Sequence, residues 1–234
     1  MKKQNQSRPF VFINFAMTAD GKIAFGDHTF VPFSSKRDRE HMMELRATAD
    51  AVMSGARTIN ESGAVMGTGG AKYCRLRLKH GLAEYNQRII VSGSGSVDPR
   101  ATIFKKRFSP IVILTTERIS KVDLQKLQAV ADEVKICGKR EVNFRKALAW
   151  LRKKWGVKRL LCEGGGELSG ALFRADLVDE INLTICPKIF GGRTAPTIAD
   201  GLGSRHLKSA AAFGLKSVQR LNGELFTIWT KDGC

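Results

Sequence analysis

The chain has 234 residues, 43% of them hydrophobic and 26% charged, with a formal charge of +17. That length buries a sizeable core in one large α/β domain or two small ones, and the proportions are ordinary for a soluble protein. No apolar run approaches the roughly 20 residues of a membrane span, and the run after the basic start is broken by Asn14, so neither a membrane segment nor a secretory signal is read.

The predicted elements start with FVFINFA (10–16), a strand by its continuous apolar run, leading into NFAMTADGKIA. There Asp20-Gly21 supplies a turn, with Asn14 and Lys22 around it. A plain turn and a turn whose Asn14 and Lys22 face a substrate are both open. SSKRDREHMMELRATA follows as a helix, opened by Ser35 and Asp38 in a capping-box pattern, with Met42, Leu45 and Ala49 along one side. DAVMSG (50–55) is a second strand, ended by Gly55, with Thr58 opening a short helix. RIIVS (88–92) and IVILTT (111–116) are buried strands, and the turn after the first carries the small residues Ser92, Gly93 and Ser94. Next come a helix capped by Ser120 and Asp123 with Leu124, Leu127 and Val130 on one face, and the strand EVKIC (133–137). Phe144, Ala147, Leu148, Leu151 and Trp155 recur at helical spacing until Gly156 stops them. VKRLLCE (157–163), EINLTICP (180–187) and LFTIWTK (225–231) complete the strands. The last two are read as a closing antiparallel hairpin with its turn at Asn222-Gly223. Apolar strands alternating with helices predict an open, mostly parallel α/β sheet, in a single domain over 1–234.

Between VKRLLCE and the helical ELSGALFRADL lie Gly164, Gly165 and Gly166. A helix N-terminus offers unpaired N–H groups and positive dipole character, and a backbone without Cβ atoms lets a phosphate approach it closely. The pattern falls short of G-x-G-x-x-G, and no Walker lysine follows it. A tight strand-to-helix turn would need one glycine or two. Gly55, followed by Arg57 and Thr58, and Ser92-Gly93 make two further glycine turns after strands. In a parallel sheet the carboxyl ends share one edge, where α/β proteins take ligands. Three such turns point to an extended phosphate-bearing ligand such as a dinucleotide, with Arg57 placed to meet a phosphate.

The positive charge is scattered over SKRDRE, KYCRLRLKH, FKKRF, GKREVNFRK and LRKKWGVKR without interleaved aromatics. It reads as solvated helix faces that also attract phosphorylated ligands, not as a nucleic-acid platform. Cys74, Cys137, Cys162, Cys186 and Cys234 form no CxxC pair. They read as reduced, mostly buried thiols of a cytoplasmic protein, and no metal site is expected because no His or Cys pair has ligand spacing.

Taken together, NFAMTADGKIA, LRATADAVMSGARTI and LLCEGGGEL…LVDEINLTICPKIFGG resemble the reductase domain of riboflavin biosynthesis, over about Asn14 to Gly192. The resemblance implies a dihydrofolate-reductase-like fold, a commonly homodimeric enzyme, and NADPH reduction of the ribosyl group of a ribosylamino-pyrimidine phosphate to a ribityl chain. It implies cofactor contacts at Gly55, Arg57 and Thr58, and at the pyrophosphate loop Gly164, Gly165, Gly166, Glu167 and Leu168, with Ser92 and Gly93 added by the glycine-turn argument. Glu163 matches the acid that opens that loop and reaches toward substrate, and Lys22 matches a substrate-site lysine. These two are the expected catalytic pair, positioning the substrate or assisting proton transfer. Ser34 or Ser35 with Arg46 matches the hold on the substrate's phosphate, while Asn14 and Asp20 are further substrate candidates. Each has a plainer alternative: Ser35 a helix cap, Arg46 a surface cation, Glu163 a strand-end carboxylate bonded to backbone N–H groups.

Two departures stand out. The family's acidic stretch DDP…LT.R is here INESGAVMGTGGAKYCRLR, where Glu61 is the stand-in for the first acid. The His-x-Glu and Pro-Cys-x-x-Cys signature of zinc deaminases is absent, which reads as a stand-alone reductase. Two other functions are weighed. A dihydrofolate-reductase-type pteridine reductase needs an isolated carboxylate on the first helix, where Asp38, Glu40 and Glu44 stand among mixed charges. A basic nucleic-acid-binding module would show salt-steep oligonucleotide affinity without coenzyme binding.

Overall fold

The structure, a computed structural model, describes residues 7–27 and 31–231, so Cys234 lies outside the described residues. Strands and helices follow one another as β1 (Phe10–Thr18), α1 (Lys36–Arg46), β2 (Ala51–Gly55), α2 (Ala56–Ser62), α3 (Ala71–Lys79), β3 (Gln87–Val91) and α4 (Thr102–Lys105). After these come β4 (Ile111–Thr115), α5 (Lys121–Gln128), β5 (Glu133–Ile136), α6 (Phe144–Trp155), β6 (Arg159–Cys162), α7 (Gly166–Arg174), β7 (Glu180–Cys186), β8 (Gly214–Leu221) and β9 (Glu224–Thr230). The chain divides into two compact units, one built from residues 10–42 and 165–234 and the other from residues 43–164 with a short N-terminal piece.

In the unit of residues 43–164 the strands run β5-β4-β3-β2-β6, every pair parallel. The continuous apolar runs explain this. Val52, Met53, Ile89, Ile90, Ile111, Val112, Ile113, Leu114, Leu160 and Leu161 are fully buried, as strands covered on both faces require, and burial of each such side chain stabilises by about 1.5–3 kcal/mol. Register aligns the strand ends, Gly55 opposite Val91, Val91 opposite Leu114 and Met53 opposite Cys162. The turns after β2, β3 and β6 therefore leave the same edge, as the sequence predicts.

In the other unit β1 pairs in parallel with β7, and β9 pairs antiparallel with β7 on one side and β8 on the other. The hairpin turns at Asn222-Gly223, both at positive φ (52° and 82°), as a two-residue hairpin loop requires. Its first strand, however, is not β7, as expected from sequence, but β8. That strand escapes sequence reading because Lys216 to Arg220 are exposed and carry no buried alternation.

Helix boundaries follow their caps. Asn143 accepts from Lys146 N at the start of α6, and Gly156 ends it at φ 67°; Ser120 accepts from Asp123 N at the start of α5. The short helix after β2 begins at Ala56, two residues before Thr58. In α1 the expected stripe of Met42 and Leu45 is only half-buried, and two polar residues, Asp38 and Arg46, are the buried ones. Helices α3 and α4 lack the apolar period that would have announced them.

The charges are not all on solvated faces. Arg77 and Arg88 are 1% and 0% exposed. Arg77 donates to the carbonyls of Arg46, Ala49 and Ala83, and Arg88 to those of Ile103, Lys106 and Ser109. Burial pulls the Arg88 pKa down to about 10 against the opposing pull of Asp132.

Candidate active site

Each unit carries its own group of the expected residues. In the unit of residues 43–164 that group lies along the carboxyl ends of β2, β3 and β6. Arg46, last in α1, and Glu163, just past β6, form a two-pronged ion pair, Nε to Oε1 at 2.7 Å and Nη2 to Oε2 at 2.6 Å, with side chains only 10% and 9% exposed. Arg46 Nη1 also donates to the Gly67 carbonyl at 2.5 Å. Burial alone would lower the Arg46 pKa, and the adjoining Glu163 carboxylate reverses the sign and raises it. A guanidinium and a carboxylate so engaged are a fixed fork. Arg46 thus ties Glu163 to the loop of residues 63–70, which stands where the acidic stretch was expected. Glu61 is exposed on α2.

The turn at Gly55 and the turn after β3 are joined by a residue that sequence reading missed. Asn60 Nδ2 donates to the Ser96 carbonyl at 2.9 Å, and its Oδ1 accepts from Asp98 N at 3.0 Å. Ser92 Oγ accepts from Ser96 N at 2.9 Å, so that hydroxyl shapes its own turn. Thr116, at the end of β4, donates to the Gly93 carbonyl. Arg57 is exposed and Thr58 half-buried.

The second group belongs to the other unit. Asp20 accepts from Thr18 Oγ1 at 2.5 Å, Phe190 N at 3.2 Å and Gly191 N at 2.7 Å. The Thr18 hydroxyl, and then those two backbone N–H groups, outweigh burial and bring its pKa down to about 2. Both of its oxygens thus accept from the protein. Lys22 Nζ donates to the Ala195 carbonyl at 3.3 Å. Ser35 caps α1, its Oγ accepting from Asp38 N at 3.2 Å, while its N–H and Oγ both donate to Glu224 at 2.8 and 2.6 Å. Glu224 is 4% exposed and nothing in its sequence surroundings flags it. Ser34 is half-buried. Asn14 is 7% exposed, and its Oδ1 accepts no hydrogen bond among the described residues.

The three consecutive glycines differ in what they do. A Cβ on Gly164 would collide with Ser54 Oγ and lie 3.0 Å from Gly55 N. A Cβ on Gly166 would collide with Asp200 Oδ2 and the Thr197 carbonyl. Both are bare because the protein itself packs there. Only Gly165 faces open space: its φ is 69°, nothing lies within 4 Å of a Cβ built on it, and as N-cap of α7 it offers no side-chain bond to the N–H groups of the first turn. Gly93 also faces open space. Close approach by a phosphate is thus supported at Gly165, beside the exposed Glu167 and the buried Leu168. Ser54 Oγ, at the Gly55 turn, is buried with no hydrogen-bond partner among the described residues. The open, uncapped start of α7 fits the pyrophosphate of a coenzyme. Among the described residues Cys74, Cys137, Cys162 and Cys186 are buried free thiols, and burial pushes the Cys162 thiol up to about 12.

Residues 9–226, nearly the whole described chain, match the family model of the RibD C-terminal domain. The chain belongs to the RibD C-terminal domain family. Among its relatives is a protein of Archaeoglobus fulgidus named 2,5-diamino-6-ribosylamino-4(3H)-pyrimidinone 5′-phosphate reductase, 33% identical over 195 residues, 83% of this chain and 87% of the relative. A protein of Aquifex aeolicus with the same name is 28% identical over 226 residues, 95% of this chain and 96% of the relative. A solved structure of RibD from Acinetobacter baumannii shares the fold with a TM-score of 0.75 at 17% identity; it matches 96% of this chain, which spans 58% of the length of that RibD. The α/β fold with a mostly parallel sheet and a C-terminal hairpin is therefore that of riboflavin-pathway reductases, and such a reductase implies a nicotinamide cofactor. No described helix is long and apolar enough to cross a membrane.

Proposed function

We propose that this chain is an NADPH-dependent reductase of riboflavin biosynthesis, converting the ribosyl group of a ribosylamino-pyrimidine 5′-phosphate to a ribityl chain. The observation that carries it is the open, left-handed Gly165 at the uncapped start of α7, in a chain whose full-length relatives are named for that reaction. The match over 9–226 supports treating both units as one reductase domain. A homodimer, a cytoplasmic location, and the absence of nucleic-acid or membrane partners complete the proposal, the location resting on four buried, unbridged thiols among the described residues.

Bound NADPH supplies the hydride that reduces C1′ of the opened ribosylamine. The rest falls to the chain. In one unit Gly165, Gly166, Glu167 and Leu168 offer first-turn N–H groups to the pyrophosphate; in the other, the turns at Gly55, Arg57 and Thr58 and at Ser92-Gly93 are coenzyme-binding turns. Arg57 favours the extra phosphate of NADPH. Glu163, fixed by Arg46, orients the substrate. Lys22 keeps N–H donors beyond its bond to Ala195 and meets the oxygen that takes up a proton as the ribose ring opens. Asn14, Ser34 and Ser35 line the substrate side. Asp20 serves by shaping the turn that carries Lys22.

A second reading, a pteridine reductase, is favoured by one observation. Asp38, in the first turn of α1, is only 7% exposed, and its Oδ1 accepts no hydrogen bond among the described residues. The deciding experiment follows NADPH oxidation against ribosylamino-pyrimidine phosphates, amino and deaminated, and against dihydrofolate. Turnover with the pyrimidine phosphates alone is expected, whereas turnover with dihydrofolate alone would select the second reading. Lys22→Ala is expected to lower turnover while coenzyme affinity, read from quenching of protein fluorescence, stays as in the parent.

A further inference from the structure

The segment of residues 188–200 makes a run of contacts within the unit of residues 10–42 and 165–234. At one end it meets the lysine turn: Ala19 N donates to the Lys188 carbonyl at 2.8 Å and Ile23 N to the Pro196 carbonyl at 2.9 Å. Asp20 holds the N–H groups of Phe190 and Gly191, and Lys22 is bonded to Ala195. At the other end it lies on α7. Asp200 N donates to the Gly166 carbonyl at 2.9 Å. Ser169 Oγ donates to the Ile198 carbonyl. Cβ atoms on Gly166 and Gly170 would both collide with Asp200. Asp200 is itself fixed, its Oδ1 accepting from Thr197 N at 3.0 Å and Thr197 Oγ1 at 2.7 Å. Gly166, Ser169 and Gly170 are therefore small where this segment presses against the helix, which accounts for the serine that breaks the dinucleotide fingerprint.

We propose that Asp200, locked by Thr197, is a positioning residue for the coenzyme. It sets the first turn of α7, whose N–H groups face the pyrophosphate, by seating the segment against Gly166 and Gly170. The carboxylate beside that turn also has the sign that the N-terminal end of a helix dipole favours. The inference rests on the coenzyme reading above and goes beyond it, since Asp200 and Thr197 act through α7 without contacting ligand.

The test combines direct NADPH binding with amide hydrogen exchange in the free protein. Asp200→Ala is expected to raise the NADPH Kd and KM about five- to tenfold, the worth of about one net hydrogen bond, with a smaller change in kcat. Exchange at Gly166, Glu167 and Leu168 should quicken in the same variant. Asp200→Asn, which keeps an Oδ1 acceptor for Thr197, should restore both. General loss of stability would lower the folded fraction without moving the Kd of the molecules that remain folded. If Asp200→Ala does not fold, Thr197→Val carries the test with a smaller rise, and Thr197→Ser restores it. An unchanged Kd with unchanged exchange overturns the positioning role while leaving the coenzyme reading intact. A parent chain that binds no nicotinamide coenzyme overturns that reading and this inference with it.

Discussion

Arg46 and Glu163 each read from sequence as ligand-facing, one for a phosphate and one for a substrate, and in the fold they pair with each other. Removing one member of a buried pair strands the other charge, at about 3–5 kcal/mol. Arg46→Ala is therefore expected to lower the unfolding free energy by about that amount in denaturant titration, and Glu163→Gln, which keeps an acceptor, by less. The glycines of the α7 turn divide by mechanism. Gly164→Ala drives a methyl into Ser54, overpacking that costs about 1–3 kcal/mol and is read as a lower melting temperature. Gly165→Asp meets no neighbour but puts a side chain on a backbone at φ 69°, a strain of about 1–3 kcal/mol, and sets a carboxylate where phosphate is proposed to lie, so it should melt lower and fail to quench with NADPH. Retained NADPH affinity in that variant would remove the cradle from the proposal. No sequence rule separates these glycines, because the distinction lies in atoms far along the chain.

At the scale of elements, the turn after β1 is fastened to residues 188–191 through Asp20. Its carboxyl has a folded pKa of about 2, below the about 3.9 of an unfolded aspartate. The sign follows: protons bind the unfolded chain more readily, so the stability Asp20 contributes is complete above about pH 4 and is lost as pH falls through about 2. Chemical denaturation at stepped pH should show that decline in the parent chain and a flatter limb in Asp20→Asn. Helices α5 and α6 were legible because caps and apolar period agree, Ser120 and Asn143 at their starts and Gly156 at the end of α6. Strand β8 was not, because an edge strand with both faces wet needs no apolar alternation. Asp200 went unread: T-I-A-D has the spacing of a capping box and Asp-Gly that of a turn, but only the packed segment shows that it seats on α7.

Across the whole molecule, the charge of +17 is proposed to draw in two phosphorylated ligands. Because exposed charges beyond about 8 Å are screened at 0.15 M salt, raising ionic strength is expected to raise the KM for both NADPH and the pyrimidine phosphate more than it lowers kcat. A KM indifferent to salt would mean that the charge serves something else. The sequence by itself determined the alternation of strands and helices, the parallel sheet, the edge that gathers the glycine turns, and the family. Those depend on local periodicity, on turn chemistry and on the order of motifs, all written along the chain. Only tertiary structure decided that Arg46 locks Glu163, that Arg77 and Arg88 are buried, that Gly165 alone of three glycines stands open, and that residues 188–200 join the lysine turn to α7. A side chain's partner is set by what folding brings beside it, and the distance between Lys22 and Ala195 along the chain holds no trace of their meeting.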